Sequence, residues 1–220
     1  MQYIFQIKLK SITIIENGKV KEGEGSNLLS VAIVYPNPQM QAPTTVMEVQ
    51  LQDNKTLELK GIALKDQIIF KGLIVGESGI DVEISAIEKQ DKIASILHKV
   101  FGQAVNGALS MIPGGGVVSL VTSAARNTLA SLFDQAEPKE RLHKIGKGYM
   151  SLHKDTPEGD FVVQLSVPEE LKLIQSFVNE NGQRATKTIT LPRGYNNAMV
   201  VFDIKKYPMP KSPSVGDTLV

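Results

Sequence analysis

Three histidines, His98, His143 and His153, are the only imidazoles in the chain, and their spacing does not bring them together. A zinc site is commonly announced by a His-x-x-x-His or His-Glu pattern on one helix face, and neither occurs, so no metal or cofactor is expected. The chain has no cysteine, which excludes thiolate ligands, thiol nucleophiles and disulfides. Serines are frequent, yet none stands in a Gly-x-Ser-x-Gly elbow that would present an activated hydroxyl beside a base. Asp155, Glu158 and Asp160 crowd one stretch, where paired carboxylates would exchange a proton or hold a cation. The same stretch, Lys154-Asp155-Thr156-Pro157-Glu158-Gly159-Asp160, has the composition of a solvated turn and is read as one. Gly114-Gly115-Gly116 invites comparison with a phosphate loop. Such loops follow a strand and run on into Gly-Lys-Ser/Thr, and neither condition holds here, so the glycines read as a turn. Lys139 to Lys147 is mildly basic but has no interleaved aromatics on which bases would stack. No coherent catalytic set emerges, and the chain reads as non-enzymatic.

The bulk numbers point the same way. The chain has 220 residues, with 24 Lys plus Arg against 23 Asp plus Glu, a formal net charge of +1. A nucleic-acid-binding domain usually carries a strong basic excess, so nucleic acid is excluded as a partner. Hydrophobic residues at 42% and charged residues at 21% are those of an ordinary globular domain large enough to bury a core without staples. At the N-terminus, Tyr3, Phe5, Ile7 and Leu9 alternate with Gln6, Lys8 and Lys10. A signal peptide needs an unbroken apolar run, so the expected location is cytoplasmic, with membrane association or export without a signal peptide as the alternatives.

Period-two alternation continues through most of the first ninety residues, as expected of strands with one face buried. Ile12 and Ile14 extend the first strand. Leu28 to Tyr35, Thr45 to Leu51 and Thr56 to Ile62 follow, separated by Glu16-Asn17-Gly18-Lys19, Pro36-Asn37-Pro38 and Asp53-Asn54-Lys55. Gln67 to Val75 and Ile80 to Ile87 read as a hairpin about Gly76-Glu77-Ser78-Gly79. After Pro138 the strand pattern returns at Ile145 to His153, Phe161 to Val167, Lys187 to Leu191 and Ala198 to Ile204. Pro168-Glu169-Glu170 has the signature of a helix start and predicts a short helix through Phe177.

Between these halves the period changes. Ile93, Ile96, Leu97, Val100, Phe101, Ala104, Val105, Ala108, Leu109 and Ile112 form a stripe at helical spacing, opened by Asp91 and closed by Pro113. Val117, Leu120, Val121, Ala124, Ala125, Thr128, Leu129, Leu132 and Phe133 form a second stripe beyond the glycines. The expected fold is therefore mainly β, an antiparallel sandwich over residues 1–89 and 143–207. An α-helical hairpin is inserted at 90–137, and a flexible tail occupies 208–220.

The opening strand Tyr3-Ile4-Phe5-Gln6-Ile7-Lys8-Leu9-Lys10-Ser11-Ile12, a polar loop, and the strand Leu29-Ser30-Val31-Ala32-Ile33-Val34-Tyr35 together resemble a C2-type sandwich. Calcium-binding members of that family carry an Asp-x-Asp pair in loops at one end. This chain has Glu16, Glu22 and Glu24 in one loop, Glu77 and Asp81 in another, and no Asp-x-Asp. The resemblance therefore implies a calcium-independent domain.

One feature stands out chemically. From Val100 to Phe133 the only charged side chain is Arg126. The polar face of the expected hairpin would consist of Gln103, Asn106, Ser110, Ser119, Thr122, Ser123, Arg126 and Asn127, small or weakly polar residues suited to burial. These are the candidate interface residues. The expected function is a binding or assembly module, with a second copy or a protein partner on that face, or a membrane surface. The alternative is a pore-forming effector that inserts the hairpin, since ~20-residue helices of ~30 Å match a bilayer core.

Overall fold

A computed structural model describes residues 2–18, 24–37, 44–59, 68–86, 110–112, 116–121 and 143–209. The described residues form thirteen strands and no helix. In the N-terminal half these are β1 (Tyr3–Ile14), β2 (Glu24–Val34), β3 (Thr44–Gln52), β4 (Lys55–Glu58), β5 (Ile68–Leu73) and β6 (Ser78–Ala86). Then come β7 (Ser110–Ile112), β8 (Gly116–Val121), β9 (His143–Leu152), β10 (Gly159–Ser166), β11 (Leu171–Val178), β12 (Arg184–Leu191) and β13 (Asn196–Pro208).

Eleven strands make one antiparallel sheet in the order β4-β1-β13-β10-β9-β6-β2-β3-β8-β7, with β5 beside β4 along the same edge of β1. The sheet curls. A single pair, Ser166↔Lys147, joins β10 to β9, and β9 passes so close to β10 that a side chain at Gly148 would strike the Gln164 carbonyl and Leu165. At the opposite side β3 turns at Asp53 and Asn54 directly into β4, and the Thr45 hydroxyl donates to the Ile69 carbonyl at 2.9 Å. The two layers therefore face each other across one core. Phe5, Ile7, Ile12, Val200 and Phe202 fill it from one layer, and Leu29, Val31, Met47, Val82 and Ile84 from the other.

The sequence explains a break in β1. Its buried apolar residues fall on odd positions through Leu9 and on even ones from Ile12, and the pairing with β13 shifts register between Leu9 and Ser11. A bulge is the way a strand absorbs one extra residue and keeps its apolar set inward. The continuous apolar run of β2 has a different cause. Leu28 and Ala32, pointing away from the core set Leu29, Val31 and Ile33, are buried too, as is Val46 on β3. A strand covered on both faces needs no alternation.

Three expectations are corrected. The helical hairpin is not found: Ser110–Ile112 and Gly116–Val121 are strands, paired to each other and, through β8, to β3 at Thr44–Met47. A glycine-rich turn joins two strands as readily as two helices, and Val117, Val118 and Val121 favour a ladder when an open strand edge is beside them. The rest of 90–137 lies outside the described residues. The short helix expected from Pro168 through Phe177 is not there: Leu171–Val178 form β11, in register with β12. Leu171, Leu173 and Gln175 alternate with exposed Lys172 and Ile174, and that period outweighs the Pro-Glu-Glu start signal. Finally, β5 and β6 are not a hairpin: β5 pairs with β1, and β6 with β2 and β9.

Candidate functional site

The residues first singled out for chemistry do not assemble. His153 is exposed, with Nδ1 accepting from the Asp155 amide at 3.2 Å. His143 begins β9, opposite Ala86, and His98 lies outside the described residues. Glu158 accepts from the Lys206 amide at 2.6 Å, and Asp160 pairs with Lys10 at 2.5 Å, which raises the lysine above its ordinary range. The Glu158 and Asp160 carboxylates of that turn thus serve separate partners. Among the described residues no group of three or more His, Asp or Glu converges as metal ligands, and no helix is long and apolar enough to cross a membrane.

Of the candidate interface residues, Ser110 lies on β7 opposite Val118, and Ser119 on β8 opposite Val46. Gln103, Asn106, Thr122, Ser123, Arg126 and Asn127 lie outside the described residues. The helical face they were to share is not present at Ser110 or Ser119.

A different element has the character of a contact surface. β11 and β12 form a separate two-stranded sheet, an arm inserted between β10 and β13. Its tip is built by Asn179, whose side-chain oxygen accepts from the amides of Asn181 at 3.1 Å and Gln183 at 2.8 Å. Gly182 closes the turn at φ 73°, a conformation that glycine adopts without strain. The base is fastened by Val167, whose amide donates to the Tyr195 carbonyl at 2.9 Å and whose carbonyl accepts from Gly194 at 2.8 Å.

The two faces of the arm differ. On one, Leu171 and Leu173 stand opposite Leu191 and Ile189, packed around Val167. Further out, Lys187 sits 6.0 Å over the Phe177 ring. Gln175 on this face is only 2% exposed, and its Oε1 has no hydrogen-bond partner. The other face pairs Lys172, Ile174, Ser176 and Val178 with Thr190, Thr188, Thr186 and Arg184. Ile174 is 63% exposed and Val178 65%, the two most exposed large hydrophobic side chains among the described residues. Hydroxyl residues surround them, and charges stand only at the two ends of the face.

Beneath the arm lies a buried asparagine cluster. The Asn197 amide nitrogen donates to the carbonyls of Glu16 at 2.9 Å and Ile145 at 3.0 Å, while its oxygen accepts from the Glu16 amide at 3.0 Å. Asn17, wholly buried, donates to the Leu51 carbonyl at 3.0 Å and accepts at its own carbonyl from Asn27 at 2.8 Å. These bonds fix the loop after β1 and the start of β13, the strand that the arm leads into. Burial raises the Glu16 carboxyl above its ordinary range, neighbouring Asp53 adds to the shift, and Lys187 of the arm opposes it.

Sequence reasoning missed the arm because its first strand was assigned to a helix. The alternation of Leu171 to Val178 and the Asn-Glu-Asn-Gly turn before Thr186-Lys187-Thr188-Ile189-Thr190 were the available signals. No family model matches the chain, and no curated protein matches it in sequence.

Proposed function

We propose that this chain is a non-enzymatic binding and assembly module in which a β frame, C2-like in its opening strands, carries the β11–β12 arm as its contact element. The exposed apolar pair Ile174 and Val178 supports this reading. An outward face serving only to meet water has no use for two large apolar groups among Ser176, Thr186, Thr188 and Thr190. Burying a side chain of this size stabilises an association by about 1.5–3 kcal/mol. A two-stranded hairpin is also marginal by itself, and added strands or a covering surface stabilise it.

The test compares wild type with the double variant Ile174→Asp/Val178→Asp by sedimentation and by liposome flotation, with thermal melts as the control for folding. A wild type that associates and a folded variant that does not would support a contact role for this face. A monomeric wild type that does not float, or a variant indistinguishable from it, would refute that role. Flotation without self-association would direct the reading to a membrane surface.

A further inference from the structure

We infer that the partner of the arm is a second copy of this chain, joined edge to edge through β12 in a two-fold register centred on Thr188. The inference rests on the reading of the arm as a contact element and adds the occupant and its geometry.

Backbone directions identify the edge. The Asn179 amide donates to the Gln183 carbonyl at 2.9 Å, so this pair is hydrogen-bonded across the hairpin. Antiparallel pairs alternate between hydrogen-bonded and non-hydrogen-bonded. From the pairing of β11 with β12, residues 185, 187, 189 and 191 therefore point their backbone groups at β11. Arg184, Thr186, Thr188 and Thr190 point theirs away from it, toward the outer edge. The side chains of these four residues are all exposed. No other described strand pairs with either edge of the arm, and of the two edges the row of Thr186, Thr188 and Thr190 marks β12.

The sequence along that edge is self-complementary. Thr186, Thr188 and Thr190 are symmetric about Thr188, and an isologous contact places the same surface on both copies. With Thr188 opposite Thr188 of the second copy, Thr186 faces Thr190 and Thr190 faces Thr186. Cross-strand threonines form favourable hydroxyl pairs. In this register Lys187 lies opposite Ile189 of the second copy, whereas centring on Lys187 would set two ammonium groups against each other. The edge pairing does not itself bury Ile174 and Val178: both copies present them, on the outer strands, on the same face of the resulting four-stranded sheet.

Because the natural chain has no cysteine, the register can be read with single introduced thiols. Directly paired residues have Cα atoms about 5.5 Å apart, within disulfide reach. Thr190 and its own copy would be about 14 Å apart, out of reach. Under mild oxidation Thr188→Cys should become a covalent dimer, Thr190→Cys alone should not, and a mixture of Thr186→Cys with Thr190→Cys should cross-link to each other. Thr188→Pro removes an edge donor without touching the β11 ladder and should turn a sedimenting dimer into a monomer.

Equal cross-linking at positions 188 and 190, or a dimer that persists in a folded Thr188→Pro variant, would overturn the register. A wild type that is monomeric at sub-millimolar concentration, with no cross-linking at position 188, would overturn the second-copy assignment. Vesicle flotation abolished by Ile174→Asp/Val178→Asp, without any cross-link, would remove this inference and leave the arm as a contact element.

Discussion

Asn197→Ala is the sharpest test of how the frame holds the arm. The side chain is wholly buried and makes three hydrogen bonds, at 2.9, 3.0 and 3.0 Å. Alanine removes all three and is too small to replace them. The Ile145 carbonyl is then left in the core without this partner, at a cost of about 1–3 kcal/mol, and the Glu16 amide and carbonyl lose about 1 kcal/mol each. The expected loss is about 3–5 kcal/mol, a large fraction of a domain's total stability. For a chain of this length it corresponds to a fall in Tm of about 6–20 °C. Urea denaturation followed by fluorescence or circular dichroism measures it, and the midpoint should move with little change in slope. The amides of Val167 and Gly194 at the base of the arm should also exchange faster than in wild type. A loss below about 1 kcal/mol would show that water or the loop replaces these bonds, and the argument for a buried clamp would fail.

Three further outcomes follow from the same structure. Gly148→Ala drives a Cβ against the Gln164 carbonyl and within 2.6 Å of Leu165, so it should destabilise by about 1–3 kcal/mol; a wild-type melting curve would show that β9 and β10 have room to part. Gln175→Met removes the unpartnered buried Oε1 at nearly constant volume and should raise stability by about 1 kcal/mol in a denaturant titration, whereas a loss would reveal a partner for that oxygen. Glu16 titrates above its ordinary value in the folded state, chiefly through burial. Its ionisation therefore costs stability that is unaffected below the unfolded value, is lost as pH rises through the folded value, and stays lost at neutral pH. Glu16→Gln should be slightly more stable than wild type at pH 7, with the difference vanishing on acidification; a gap that widens in acid would reverse the sign.

Alternation carried the frame. Where one face meets the core and the other meets water, as in β1, β10 and β13, residue types report the strand, and the phase change after Leu9 even reports the bulge. Strand order was not legible, because the pairing of β5 with β1 instead of β6 depends on contacts distant in sequence. The apolar stripes on either side of the glycines misled for a related reason. Short apolar runs fit both periods, and the open edge of β3 decides the structure at Gly116–Val121. The asparagine cluster left no signature, since Asn17 and Asn197 sit in stretches whose composition suits an exposed turn equally well. The arm was half legible: β12 was read as a strand, and its partner was not.

Residue-resolved amide exchange of the arm, followed over a range of protein concentration, tests the central claim most directly. In an isolated copy the amides of residues 185, 187, 189 and 191 are held by β11, while those of Arg184, Thr186, Thr188 and Thr190 face the open edge. An arm that makes the contact gains protection at this second set as concentration rises, with the first set little changed and the frame strands unaffected. If Thr186, Thr188 and Thr190 stay unprotected at every concentration while protection grows on another element, the contact lies elsewhere on the molecule and the arm is not the assembly element.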